Sequence, residues 1–236
     1  MQVFGHRGSP GFPRFGENTR TSFRKALEAG AAGFELDVRR CKDGTLAVIH
    51  DATIDRTTNG SGAVAGFTYN ELSRFDAGHG DMVPRLSDVL QEFARRCAVY
   101  VELKESGLSE EVARLPGPFV VCAFDADDND ENSTSSWEEL GAISSSVPTA
   151  LLITRRKLQR IGNEAFVSAA KRFGARAIHP PRDAISGELM MIAKPAGLPV
   201  RVWTINEPSE AVALRQLGVD AIFSDCPETC LRELLR

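Results

Sequence analysis

An α/β fold of the TIM (β/α)8 barrel type is predicted by three observations. Leaving aside the return strand of one hairpin, eight β-type runs alternate with helical stretches along the 236 residues, and such alternation builds a parallel sheet wrapped by helices. The length also fits, since α/β barrels commonly form one unit of about 200–250 residues. Finally, His6, Arg7, Glu35, Asp37, His50, Glu102 and Lys104 all stand within or at the end of β-type runs, where barrel enzymes keep their chemistry.

The first unit opens with the apolar run Val3-Phe4-Gly5-His6. After a loop rich in Gly and Pro, Asn18 to Gly30 has a cap-type residue, helical periodicity and a terminal glycine, which predict a helix. Gly33 to Arg39 is the second strand. Thr45 to His50 is an extended run joined to it by Lys42-Asp43-Gly44, and Asp-Gly favours a tight two-residue hairpin turn. With Asp43 and Gly44 at the centre of that turn, Asp37 faces His50 to within about one residue. Residues 51–85, rich in Gly, Asn and Thr, form a small irregular insertion in what is otherwise one domain over 1–236. The alternation resumes with a helix from Ser87 to Arg96. Further strands are expected at Ala98–Leu103, Phe119–Phe124, Thr149–Ile153, Ala175–His179, Val200–Ile205 and Ala221–Ser224. Helices are expected at Ser135–Ser144, Asn163–Phe173, Ser186–Ala196 and Pro208–Leu217. Residues 125–136, rich in Asp, Asn and Ser, read as a solvated loop without EF-hand spacing.

Lys plus Arg is 28 and Asp plus Glu is 32, a net charge of −4, with no basic stripe to follow a nucleic-acid backbone; no nucleic-acid partner is expected. Arg39-Arg40, Arg95-Arg96 and Arg155-Arg156-Lys157 are short clusters, read as solvated element ends. The longest apolar runs, such as Ala150–Ile153 and Arg201–Ile205, fall far short of the roughly 20 residues a membrane helix needs, so no stable membrane insertion is expected. His6 stands where a signal peptide would still be running. Five cysteines, an odd count with no CxxC, suit a reduced compartment. A cytoplasmic location is the expectation, with Cys226 and Cys230 inert thiols near the last loop. No feature fixes an oligomeric state.

Glu35 and Asp37 are two apart on one strand and share a face; Glu102 and Lys104 repeat the arrangement on the next. Inward carboxylates in a barrel are costly unless they bind a cation or pair with basic groups. Such a cluster can be purely structural, with Lys104 as its counter-charge, or it can hold a cation. Two histidines at strand ends favour the second. No further His or Cys stands at ligand spacing, so an all-oxygen donor set suits a hard divalent cation, Mg²⁺ or Ca²⁺. Histidine is the side chain suited to moving protons at neutral pH, and with His6 and His50 at a barrel mouth one can accept a proton while the other donates. Arg7 offers a fork for two phosphate oxygens, or else a partner for a carboxylate at the barrel mouth. His79 and His179 are read as structural. Together these residues are the equipment of metal-assisted phosphate-ester cleavage.

Taken in order, His6-Arg7-Gly8, Glu17-Asn18-Thr19, Glu35-Leu36-Asp37-Val38, Lys42-Asp43-Gly44, His50-Asp51, Asp55-Arg56-Thr57-Thr58, Glu102-Leu103-Lys104, Trp203-Thr204-Ile205-Asn206 and Asp220-Ala221-Ile222-Phe223-Ser224-Asp225 resemble the signature of glycerophosphodiester phosphodiesterases. The resemblance spans nearly the whole chain. It departs at Cys122-Ala123-Phe124, where the family usually has Ser-Phe, and at Val83-Pro84-Arg85-Leu86, where Thr is usual in place of Arg. It implies a TIM barrel with a small insertion after the second strand. It also implies His6 and His50 as the acid/base pair, Glu35, Asp37 and Glu102 as metal ligands, and Arg7 and Lys104 as phosphate-side charge. The implied reaction is metal-dependent hydrolysis of a small-molecule glycerophosphodiester to glycerol 3-phosphate and an alcohol through a cyclic phosphate. Trp203, near the end of its strand, suits stacking on glycerol carbons or a choline-like head group, or simple core packing. The alternatives are a phospholipase D-like lyase that stops at the cyclic phosphate and a barrel that binds phosphodiester or metal without catalysis. Those lyases are secreted and disulfide-bonded, and binding alone needs no acid/base pair.

Overall fold

Side-chain alternation along each strand separates two apolar layers. On β4 (Ala98–Leu103), Val99, Val101 and Leu103 join the core beneath the helices, while Tyr100 packs inside the barrel and Glu102 shares its face. The computed structural model describes residues 1–11, 16–126 and 134–236. The other parallel strands are β1 (Gln2–Gly5), β2 (Gly33–Arg40), β5 (Val120–Ala123), β6 (Thr149–Leu152), β7 (Ala177–His179), β8 (Arg201–Val202) and β9 (Ala221–Ser224). They run in the order β7-β6-β5-β4-β2-β1-β9-β8, and β3 (Leu46–Val48) adds antiparallel to β2. At the ends of that path β7 and β8 meet through two isolated parallel bridges, Ile178 with Val200 and Pro181 with Trp203, which leaves the barrel nearly closed. That seam is short because Pro180, Pro181 and Pro199 have no N–H to give a ladder. Within the barrel, Phe4, Tyr100 and Phe223 interlock, with Tyr100 at centroid distances of 4.9 Å and 5.2 Å from the other two rings, and Ala150, Ala177 and Ala221 make room for them.

Helices α1 (Arg20–Glu28), α3 (Leu86–Phe93), α5 (Trp137–Ile143), α7 (Asn163–Arg172), α8 (Gly187–Ala193) and α9 (Pro208–Leu217) fall within one or two residues of the expected starts. Four helices were not expected: α2 (Tyr69–Leu72), α4 (Ser109–Ala113), α6 (Arg155–Ile161) and α10 (Pro227–Leu234). The last two correct specific expectations. Pro227 at the first turn of α10 is a start signal, and Cys230 lies buried on that helix rather than near a loop. The basic run 155–157 opens α6 behind the cap Thr154; Arg155 and Arg156 are exposed at that helix end as expected, whereas Lys157 is buried, ion-paired with Asp125 and set 4.2 Å from the Trp137 ring centroid. Of the expected solvated loop 125–136, residues 127–133 lie outside the described residues; Asp125 is held by Lys157 and Ser135 is buried. All five cysteines are free, and among the described residues no helix is long and apolar enough to cross a membrane.

The stretch 51–85 is more ordered than its composition suggests. Ile54, Val64, Tyr69, Leu72, Ala77 and Val83 close a small core of their own with Cys41, Ala47 and Ile49 from the hairpin, and α2 starts at a capping box of Thr68 with Glu71. The hairpin itself corrects the expected turn. Val38 pairs with Val48 and Arg40 with Leu46, so the loop holds the three residues 42–44 instead of two. Gly44 takes φ 85 and donates its N–H to Cys41 O at 2.9 Å, while Cys41 N–H bonds Thr45 O at 2.8 Å, the three-residue loop with a left-handed glycine. Asp37 therefore lies opposite Ile49, whose N–H bonds Asp37 O at 3.0 Å, and His50 follows one residue later. Open space surrounds the Cβ position of Gly44, so Gly44→Ala should cost only the left-handed strain, about 1–2 kcal/mol in urea unfolding. A cost near zero would mean that the turn can switch type.

Candidate active site

The register of β2 on β4 sets Asp37 beside Glu102, and the period of two brings Glu35 to the same face. One oxygen from each of Glu35, Asp37 and Glu102 lies within 4.8 Å of the other two, and all three side chains are buried. Two cations offset this charge. Lys104, 2% exposed, places Nζ 2.5 Å from Glu102 Oε1 and 3.8 Å from Asp37 Oδ1. Arg7 Nε lies 3.3 Å from Asp37 Oδ2. Arg7 itself sits at φ 54, an uncommon conformation outside glycine, and its N–H donates to Glu35 Oε2 at 3.1 Å. Asn18, the first residue of the expected helix, stands before the α1 cap and donates Nδ2–H to Asp37 Oδ2 at 2.8 Å.

The electrostatics divide the three acids. Although burial opposes it, Arg7 and Lys104 hold Asp37 well below the usual carboxylate range. Burial, with Asp37 and Glu102 adding to it, raises Glu35 well above that range. Glu35 Oε1 is buried with no hydrogen-bond partner among the described residues. A buried orphan oxygen is costly, and three convergent carboxylates with no nitrogen or sulfur donor fit a hard divalent cation.

Each histidine is tied back through Nδ1. His6, just past β1, lies 2.7 Å from Asp225 Oδ1, and Asn206 Nδ2–H holds Asp225 Oδ2 at 2.7 Å. His50 lies 2.7 Å from Asp51 Oδ1, and Arg39 Nε–H bonds the His50 carbonyl at 2.7 Å. Arg39 is therefore a buried prop under the hairpin rather than a solvated strand end. Since carboxylates accept, Nδ1 carries the proton in both rings and Nε2 is the atom left for a ligand.

His6, Arg7, Glu35, His50, Glu102, Lys104 and Trp203 line one cavity of about 460 Å³; Asp37 does not reach its lining. Phe124, Leu152 and Trp203 make an apolar wall, where the Phe124 and Trp203 rings meet at 87° and Trp203 Nε1–H bonds His179 O at 2.8 Å. His179 also edges the cavity, its ring packed against Tyr100 and Phe223. Burial, helped by Arg201, lowers its pKa and keeps it neutral.

A family model described as the glycerophosphoryl diester phosphodiesterase family matches residues 6–229. The chain belongs to that family. It is an enzyme, a phosphoric diester hydrolase. A glycerophosphodiester phosphodiesterase of Caldanaerobacter subterraneus subsp. tengcongensis is 31% identical over 243 residues, covering 97% of this chain and 96% of its relative. Among solved structures, a glycerophosphodiester phosphodiesterase from Agrobacterium tumefaciens is 27% identical with a TM-score of 0.80, over 98% of this chain and 99% of the other. An Oleispira antarctica phosphodiesterase, in complex with sn-glycerol-3-phosphate, shares the fold at 24% identity and a TM-score of 0.84, over 100% and 97%.

Asn18, Asp51, Asn206 and Asp225 stand within the motifs of this phosphodiesterase's sequence, but sequence reasoning gave them no role. Two signals pointed to them: Asp51 is adjacent to a candidate histidine, and Asp225 follows the last strand as His6 follows the first. Although burial opposes it, the hydrogen bond and charge of His6, with Asn206, hold Asp225 below its ordinary value. The folded chain thus takes up this proton at lower pH than the unfolded chain. The contribution to stability is complete above the unfolded pKa of about 3.9 and is lost as pH falls through the folded pKa. Urea midpoints of wild type and Asp225→Asn should accordingly differ at neutral pH and converge in acid; parallel curves down to acid pH would remove Asp225 as the source.

Proposed function

We propose that this phosphodiesterase hydrolyses glycerophosphodiesters to glycerol 3-phosphate and an alcohol through a cyclic phosphate, with His6 and His50 as the acid/base pair. The supporting observation is that both imidazoles are fixed through Nδ1 and line the cavity that Glu35 and Glu102 of the carboxylate cluster also line. Glu35, Asp37 and Glu102 would hold a divalent cation, Mg²⁺ or Ca²⁺, which when bound supplies positive charge that neutralises a nonbridging phosphate oxygen and acidifies the glycerol 2-hydroxyl.

The chain's own groups do the rest. Arg7 and Lys104 add positive charge on the phosphate side. One histidine takes the 2-hydroxyl proton at Nε2, and the oxygen attacks phosphorus within the same molecule, which removes the entropy cost of a second reactant. As the P–O bond to the alcohol breaks, the other histidine, protonated, gives its proton to the departing oxygen. A five-membered cyclic phosphate results. Water then opens it with the histidine roles reversed, so the second step restores both protonation states. Trp203, with Phe124 and Leu152, shields the carbon skeleton of the substrate from water. A reducing, cytoplasmic setting suits the five free thiols.

The test is release of glycerol 3-phosphate from glycerophosphocholine and glycerophosphoethanolamine with Mg²⁺, Ca²⁺, Mn²⁺ or EDTA, followed by phosphorus NMR. Metal-dependent release with a transient cyclic phosphate is expected. A cyclic phosphate that accumulates as the final product would make the enzyme a lyase, and tight binding without turnover in any metal would make it a binding barrel.

A further inference from the structure

We infer that Arg56, carried by the insertion, is a positioning residue that aligns His50 through Asp51 and is coupled to Arg7 through Glu17. The inference rests on the proposed proton-transfer role of His50. Arg56 grips both acids with a two-point fork: Nε–H and one Nη2–H reach the Asp51 oxygens at 2.6 Å and 2.9 Å, and Nη1–H and Nη2–H reach the Glu17 oxygens at 2.8 Å and 2.7 Å. Arg7 Nη1–H takes Glu17 Oε1 at 3.0 Å. Asp51, Arg56, Glu17, Arg7 and Asp37 thus form a continuous chain of alternating charge that links the carboxylate holding the His50 ring to the carboxylate cluster.

Two features separate this chain from ordinary surface pairing. Exposed ion pairs contribute little to stability, and the Arg56 side chain is 48% exposed, so holding the fold together is a poor reason for four hydrogen bonds on one guanidinium. In contrast, fixing the plane of the Asp51 carboxylate fixes the imidazole that bonds to it, and a planar fork does this where a point charge does not. Arg56 holds Asp51 below its ordinary pKa, and it does the same for Glu17 with Arg7, against the effect of burial. Both acids are therefore anionic at neutral pH. The other histidine differs: its Asp225 is held by the neutral Asn206. The insertion supplies Arg56 from a turn in which Thr58 N–H and Thr58 Oγ1–H both bond Ile54 O, and Ile54 is buried in the insertion's own core. On this view the insertion is a brace for one half of the acid/base pair.

The experiment compares wild type, Arg56→Lys, Arg56→Ala and Asp51→Ala on glycerophosphocholine at saturating cation, with melting temperatures measured alongside. Arg56→Ala should lose about 10–100-fold in kcat with KM nearly unchanged, the pattern of a misaligned group. Millimolar guanidinium ion should restore part of that kcat in Arg56→Ala but none in Asp51→Ala, which has no carboxylate to receive it. Arg56→Lys should recover only part, because an ammonium cannot span both acids. Wild-type kcat in Arg56→Ala would overturn the inference, as would a loss that guanidinium leaves unchanged. Wild type inactive on every phosphodiester would instead overturn the proposed function, so the two failures are distinguishable.

Discussion

His6→Ala and His50→Ala should each lower kcat on glycerophosphocholine by about 10²–10⁴-fold, while Mn²⁺ or Ca²⁺ still raises the melting temperature of both variants. The two halves of this result have separate causes. Turnover falls because, on the proposed mechanism, each step needs one imidazole to take a proton and the other to give one, and of the three histidines on the cavity lining His179 is kept neutral by burial. Cation binding should survive because, among the described residues, the convergent carboxylate oxygens come from Glu35, Asp37 and Glu102 and from neither histidine. Because the two histidines act as a pair, the double variant should be scarcely worse than either single one. Near-wild-type activity in either variant would sink the assignment of that histidine, and loss of the cation-induced shift would make it a ligand instead.

The residues proposed to carry this chemistry are legible in the sequence because their signals are local. Glu35 and Asp37 need only the strand period, and the Lys42-Asp43-Gly44 turn returns His50 to the same strand, even though the loop proved one residue longer than expected. What holds the histidines in place is largely not local. Asp225 meets His6 because β9 pairs with β1, a contact between the two ends of the chain that exists only once the barrel closes. Glu17 and Arg56 come together across 39 residues, one from a loop after β1 and the other from the insertion. Arg39 and Lys157 were misjudged for the opposite reason. Short basic runs usually end in water, but Arg39 is drawn in by the His50 carbonyl and Lys157 by Asp125 and the Trp137 ring. Composition sees only the charge; the partner appears with the fold.

Deleting a charge from the carboxylate cluster should stabilise or destabilise the cation-free enzyme according to its sign. Lys104→Met leaves Glu102 without its partner at 2.5 Å and Asp37 without the one at 3.8 Å, all three groups being buried. Breaking a buried pair on one side in this way costs about 3–5 kcal/mol. Glu35→Gln removes one of three mutually repelling carboxylates, so in EDTA the variant should melt at or above the wild-type temperature. Adding Mg²⁺ or Ca²⁺ should reverse the ranking. Wild type gains about 2.7 kcal/mol at a hundred times its dissociation constant, Lys104→Met recovers part of its deficit because the cation supplies the missing positive charge, and Glu35→Gln gains little and loses turnover. Calorimetric melting of the three proteins with and without cation decides the matter. If Glu35→Gln responds to cation as wild type does, the carboxylates serve only to balance Arg7 and Lys104; if it melts far lower in EDTA, the cluster is held together by Glu35 rather than strained by it.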